Sequence, residues 1–207
     1  MKLYQANVIT TCPRRVTIYL AEKGIKCEIV EVDMRGGAGR TAEFRSKNPA
    51  GRVPVLELDD GSFLPDSMAI IEYLEEKFPD PPLIGRTPEE RAFVRSKERL
   101  IMDFQILFLY TMVHGDDSMK KRRPEFVRRP ELAEGIKPRR DTLMQAIETV
   151  LGDGKYFGGN SVCVADISLY AILDTGVLYH DYKIPNTYPG LQKWFKRFSE
   201  RPSARRT

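Results

Sequence analysis

The sequence is poor in the residues on which most metal and disulfide chemistry depends. It has two histidines, His114 and His180, and three cysteines, Cys12, Cys27 and Cys163, in 207 residues. The histidines have no partners at the spacings of metal sites, so no metal is expected. An odd number of widely spaced cysteines is not a disulfide framework, and it points to a reduced, cytoplasmic protein. No apolar run approaches membrane-spanning length, and the N-terminus runs straight into a strand with no charged-then-apolar leader, so no membrane partner is expected. Charge of one sign is also scarce: Lys and Arg exceed Asp and Glu by only 33 − 29 = 4. A nucleic-acid protein needs a larger or more localised excess. The one basic run, Lys120-Lys121-Arg122-Arg123-Pro124 with Arg128-Arg129 behind it, reads as a solvated interhelical loop rather than a polyanion site. There is no internal repeat and no low-complexity tract.

What the chain does have is a dense local pattern between Gly51 and Tyr73. Val53–Leu58 reads as a strand with Pro54 near its start, where a missing N–H is tolerated. Asp59-Asp60-Gly61 is a hairpin turn and Ser62–Leu64 the returning strand. Pro65-Asp66-Ser67 then opens a helix carried by Met68, Ile70, Ile71, Leu74 and Phe78. The first N–H groups of a helix lack partners, so Asp-Ser at this mouth makes an anion site. Upstream, residues 2–7 read as a strand, Cys12-Pro13 as a helix start, Gly24 as its stop, and 27–32 as a second strand. That second strand is parallel to the first if the helix crosses over. Asp33–Arg40 is rich in glycine, and Thr41–Ser46 reads as a short helix.

The string Arg52-Val53-Pro54-Val55-Leu56, followed by Asp66-Ser67-Met68-Ala69-Ile70-Ile71-Glu72-Tyr73-Leu74, resembles the glutathione-binding half of cytosolic glutathione transferases. The resemblance implies a thioredoxin-like βαβαββα domain over residues 1–79, a linker at 80–85, and an all-α helical-bundle domain over 86–207. The Pro-rich stretch Phe78–Gly85 is where a boundary belongs on composition alone. Beyond it the pattern is helical. Thr87-Pro88-Glu89-Glu90 is a capping box, and an apolar face from Phe93 runs to about His114. A later helix begins at Pro130 or Pro138 and runs to Leu151. Cys163-Val164-Ala165-Asp166 resembles the family's N-capping box with Cys in place of Ser or Thr; either Ser161 takes over the cap or this helix start is weaker. A last helix runs from Tyr188-Pro189 through Trp194 and Phe198.

The resemblance also assigns roles. Val53-Pro54 would be a cis peptide whose backbone meets the cysteinyl part of glutathione. Asp66 would take the γ-glutamyl amine and Ser67 its carboxylate, and Arg52 and Arg40 are candidates for the carboxylates. Lowering the thiol pKa needs a hydroxyl donor near the sulfur and the positive end of a helix. Both are expected in the loop Thr10-Thr11-Cys12-Pro13, which parallels the zeta-class Ser-Ser-Cys pattern. Thr10 is the first candidate donor, Thr11 the second, and both read equally well as caps of the first helix. Cys12, beside Arg14 and Arg15 at a helix mouth, is the alternative nucleophile. The second substrate, a small hydrophobic electrophile, is expected between the domains against Phe104, Leu107, Phe108 and Met112. The resemblance implies a homodimeric glutathione transferase with glutathione as co-substrate and no nucleic-acid partner. Its rivals are a thiol-disulfide oxidoreductase using Cys12 and a non-catalytic interaction protein of the same fold.

Overall fold

A computed structural model describes residues 1–117, 119 and 126–206. The chain divides into two compact units, one of Met1–Leu83 joined by the residues from Pro202 on, the other Ile84–Arg201.

The first unit runs β1 (Lys2–Ala6), α1 (Thr11–Lys23), β2 (Glu28–Val32), a short 3₁₀ turn (Ala38–Arg40), α2 (Ala42–Lys47), β3 (Val55–Glu57), β4 (Phe63–Pro65) and α3 (Ser67–Lys77). This is the βαβαββα order expected of a thioredoxin-like domain. The sheet order is β2-β1-β3-β4, with β1 parallel to β2 and antiparallel to β3, and β3 antiparallel to β4. The parallel pair requires a crossover, which α1 supplies. Register places Leu3 beside Ile29 and Leu56, and Leu56 beside Leu64.

Alternation along the strands divides their side chains between two faces. Tyr4, Val32, Val55 and Phe63 gather on the face covered by Phe44 of α2, with Met34, Ala38 and Val53 packed against them. Leu3 and Leu56, on the opposite alternation, are fully buried, as are Val16, Ile18 and Tyr19 of α1 and Ile70, Ile71 and Leu74 of α3. Burying a side chain of this size contributes roughly 1.5–3 kcal/mol, so these layers dominate the stability of the unit. Ala21, on the other side of α1, is exposed. Helix α1 stops at Gly24, whose φ of 67° is the left-handed cap conformation, with its N–H bonded to Ala21 and Leu20 carbonyls.

The residues from Pro202 on were expected to belong with the helical half. They fold with the first unit, because the buried Arg14 guanidinium donates to the carbonyls of Ala204 and Arg205 and Ser203 donates to Glu22.

The second unit is helical: α4 (Pro88–Gly115), α5 (Pro130–Leu151), α6 (Val164–His180) and α7 (Pro189–Ser199) are its principal helices among the described residues. The capping box at Thr87 is formed in full: Glu90 N–H donates to Thr87 Oγ1 at 3.2 Å and Thr87 N–H to Glu90 Oε2 at 3.3 Å. Of the two prolines offered as a start for α5, Pro130 is the first residue, and Pro138 lies inside the helix. Cys163 is the N-cap of α6, while Ser161 is engaged in a bridge with Gly158. The buried Asp166 carboxylate closes this start, accepting from Cys163 N–H at 2.9 Å, Phe157 N–H at 3.0 Å and Trp194 Nε1–H at 2.7 Å. No helix among the described residues is long and apolar enough to cross a membrane.

Candidate active site

The candidate site is built from three pieces of the first unit: the mouth of α1, the turn before β3, and the mouth of α3.

Thr10 is the N-cap of α1, in extended conformation, and its carbonyl accepts the first helical bond from Arg14 N–H at 2.9 Å. Its side chain makes no cap hydrogen bond. The Oγ1 atom is buried and has no hydrogen-bond partner among the described residues. Thr11 opens the helix, and Thr11 and Cys12 are both half-buried. Cys12 is in no disulfide. A groove of about 510 Å3 adjoins this corner, lined among others by Asn7, Val8, Ile9, Thr10 and Pro13.

The turn before β3 is held from within. Asn48, almost fully buried, donates from Nδ2 to the Arg52 carbonyl at 2.6 Å and accepts from Ala50 N–H at 3.0 Å. Gly51 N–H bonds to the Asn48 carbonyl at 2.8 Å. The Val53-Pro54 peptide is cis, as the resemblance implies, and so is Asp80-Pro81. Arg52 and Arg40 are exposed, and Pro54 is buried.

At the mouth of α3, Asp66 has φ 77° and ψ 130°, a conformation that side chains other than glycine avoid. Such a residue costs on the order of 1–3 kcal/mol and persists only where its surroundings enforce it. Here its Oδ1 accepts from Met68 N–H at 2.8 Å and Ala69 N–H at 3.2 Å, which holds it as N-cap. Asp66 thus caps α3 through Oδ1, and Oδ2 is left for another donor. Ser67 is buried, and its Oγ accepts from Arg15 Nη1 at 2.8 Å.

Sequence reasoning did not assign two of these partners: Arg15 beneath Ser67 and Asn48 inside the turn. In the sequence Arg15 reads only as a charge near Cys12, and nothing local marks its partner 52 positions on.

The expected second-substrate wall divides. Phe104 and Phe108 belong to the core of the helical unit, with ring centroids 5.2 Å apart and Phe108 edge-on to Tyr182 at 4.8 Å. Leu107 and Met112 are half-buried. His114 accepts from Arg129 N–H at 3.1 Å and His180 sits 3.1 Å from Asp116, so both imidazoles have structural partners. No His, Cys, Asp or Glu cluster able to hold a metal occurs among the described residues. Of the basic run, Lys120 to Pro124 lies outside the described residues; Arg128 pairs with Asp117 at 3.0 Å.

Residues 11–77 match the family model of the glutathione S-transferase N-terminal domain, and residues 109–205 that of the C-terminal domain. The chain is 31% identical over 202 residues to glutathione S-transferase 2 of Saccharomyces cerevisiae, covering 94% of this chain and 84% of that protein. This chain belongs to the glutathione S-transferase family. It is also 34% identical over 168 residues to the maleylacetoacetate isomerase of Mus musculus, covering 77% of this chain and 71% of that one. Among solved structures, Gtt2 from Saccharomyces cerevisiae superposes with a TM-score of 0.85 at 28% identity, covering 99% of this chain and 98% of that one. A glutathione S-transferase from Methylobacillus flagellatus with GSH bound gives 0.82 at 27% identity, covering 98% and 96%. The transferase family thus carries over to the fold as well as to the motifs from which it was first read.

Proposed function

We propose that this glutathione transferase activates its co-substrate with the Thr10 hydroxyl and directs the thiolate at a hydrophobic electrophile. The observation that carries this is the Thr10 hydroxyl, buried at the mouth of α1 without a partner among the described residues. A threonine at an N-cap ordinarily accepts from a first-turn N–H, and this one does not. A buried polar group left without a partner costs roughly 1–3 kcal/mol, so its retention calls for a role. A glutathione thiol, with an ordinary pKa near ~8.5, becomes the acceptor for that donor as it ionises. The positive end of α1 favours the same ionised form.

In this reading the Val53 backbone aligns the cysteinyl part of glutathione. Asp66 Oδ2 takes the amine of the γ-glutamyl end while Ser67 takes its carboxylate. Arg52 and Arg40 draw on the remaining carboxylate as charged donors. The groove beside Thr10 offers an acceptor the apolar surfaces of Val8, Ile9 and Pro13. Attack and departure of a leaving group gives conjugation, dehalogenation or ether cleavage; addition followed by loss of the same thiolate gives isomerisation. We also propose a homodimer in a reducing, cytoplasmic setting, with the exposed Ile106, Leu109 and Tyr110 on α4 as surface a second copy covers.

The test is Thr10→Val, which removes the hydroxyl at nearly constant volume. It is expected to keep the melting temperature at or above that of the parent, abolish the ultraviolet band of bound thiolate, and lower kcat/KM by roughly 10²-fold or more. Retention of the thiolate band would overturn the assignment, and its loss in Thr11→Val instead would move the donor by one residue.

A further inference from the structure

Two loops of the first unit meet backbone to backbone at a pair of glycines. Gly39, in the 3₁₀ turn, is buried against Gly51, in the turn before β3. A methyl group on Gly39 would lie 2.3 Å from the Gly51 carbonyl oxygen and 2.8 Å from Met34 Cε. A methyl group on Gly51 would lie 2.1 Å from the Gly39 carbonyl oxygen. The first atom in each case is main chain, which cannot swing aside. Gly51 also has φ 63°, whereas Gly39 has no such constraint, so close approach alone requires glycine at 39.

Each glycine stands next to a residue of the proposed glutathione cradle. Gly39 is followed by Arg40, and Gly51 by Arg52 and the cis Val53-Pro54 peptide. The loop carrying Gly51 is locked by the Asn48 side chain, and Gly39 is held by Arg40 N–H to the Gly37 carbonyl at 2.8 Å and Thr41 N–H to the Ala38 carbonyl at 3.1 Å. Two internally rigid turns in direct main-chain contact fix one distance: that between the Arg40 side and the Val53 side of the cradle.

We propose that Gly39 is a positioning residue for glutathione, setting the span between Arg40 and the Val53 backbone through its contact with Gly51. This rests on the reading of residues 40 and 52–54 as glutathione contacts. The contact acts on binding of the tripeptide and not on the sulfur chemistry at Thr10, so it governs KM for glutathione and leaves kcat alone.

The experiment compares Gly39→Ala with Gly24→Ala, measuring glutathione KM, kcat with an activated aryl halide, and melting temperature. Gly24 has φ 67° and open space around its missing Cβ, so alanine there strains the helix end without pressing on another loop. Gly39→Ala is expected to raise KM for glutathione roughly tenfold at a kcat within about twofold of the parent. Gly24→Ala is expected to lower the melting temperature with KM unchanged. An unchanged KM in Gly39→Ala, or a fall in kcat that merely tracks lost stability as in Gly24→Ala, overturns the proposal. Should Gly39→Ala not fold, amide hydrogen exchange on the parent protein decides. Glutathione should slow exchange over 34–41 and 49–54 together, and slowing confined to 49–54 overturns the coupling. A parent protein that binds no glutathione in this experiment overturns the transferase reading beneath it, a result separate from either pattern of exchange.

Discussion

Arg15 and Ser67 lie 52 positions apart in sequence and are joined by a buried hydrogen bond of 2.8 Å from Nη1 to Oγ. Arg15 is 2% exposed and Ser67 1%. This bond ties the mouth of α3, where the γ-glutamyl end is proposed to bind, to the helix whose N-terminus is proposed to hold the sulfur. Ser67→Ala removes an acceptor from a buried cation and is expected to cost about 1–3 kcal/mol, read as a lower urea midpoint. It should also raise KM for glutathione. Arg15→Lys keeps the charge but loses the planar fork, so it should not restore the parent's midpoint.

The contrast between what was legible and what was not follows sequence distance. The hairpin and the start of α3 were readable because their signals are local: Asp59-Asp60-Gly61 makes its own turn, and Asp66 bonds N–H groups two and three residues on. Thr10 was readable as a candidate because helix mouths are marked by their residues, although its missing cap bond was not. Arg15–Ser67, Gly39–Gly51 and Arg14 with the C-terminal carbonyls join distant segments, and no periodicity encodes a distant partner. The same limit explains Phe104 and Phe108. An apolar helical stripe does not say which of its members meet a neighbouring helix, and these two meet the core of their own unit.

Glu75 draws together Lys23, Tyr19 and Leu83 at the far end of the first unit. It pairs with Lys23 at 2.7 Å, accepts from Leu83 N–H at 2.9 Å and from the Tyr19 hydroxyl, and Lys23 donates also to the Phe78 carbonyl at 2.7 Å. Lys23 and Glu75 side chains are 0% and 4% exposed. Breaking one member of such a pair strands the other charge, a loss of roughly 3–5 kcal/mol. Glu75→Leu should therefore unfold at much lower urea than the parent. Glu75→Leu with Lys23→Met should recover part of that loss, which a double-mutant cycle would read as coupling.

Tyr4 gives the first unit an alkaline dependence. Its hydroxyl donates to Glu57 Oε2 at 2.5 Å, and this bond to a carboxylate, with some burial, pushes its pKa up to about 12. In the unfolded chain a tyrosine ionises near ~10. The unfolded state thus loses its proton first, so stability is fully present below ~10 and falls as pH rises towards the folded value. Urea midpoints should decline across that interval. Burial raises Tyr19 as well, so Tyr4→Phe should make the decline shallower without abolishing it while lowering the midpoint at neutral pH, and an identical slope in both proteins would remove Tyr4 from the account.

The start of α6 offers a stabilising change and its opposite at adjacent positions. Cys163 is the N-cap, with sulfur, a weak acceptor, in place of a hydroxyl, and burial pushes its thiol well above the ordinary range, so it is an inert packed group. The cap is closed from the other side by Asp166, which accepts from Cys163 N–H, Phe157 N–H and Trp194 Nε1–H. Asp166→Ala strands three donors inside the helical unit and should cost several kcal/mol, of order 1–3 for each buried donor that finds no water. Asp166→Asn retains one acceptor oxygen and should fall between alanine and the parent. Cys163→Ser exchanges a weak sulfur acceptor for a hydroxyl and should raise stability by about 0.5–1 kcal/mol. The three variants ranked by thermal melting, serine above parent above asparagine above alanine, separate the contribution of the cap from that of the buried carboxylate. A serine variant that melts below the parent would mean that packing of the sulfur outweighs the stronger acceptor.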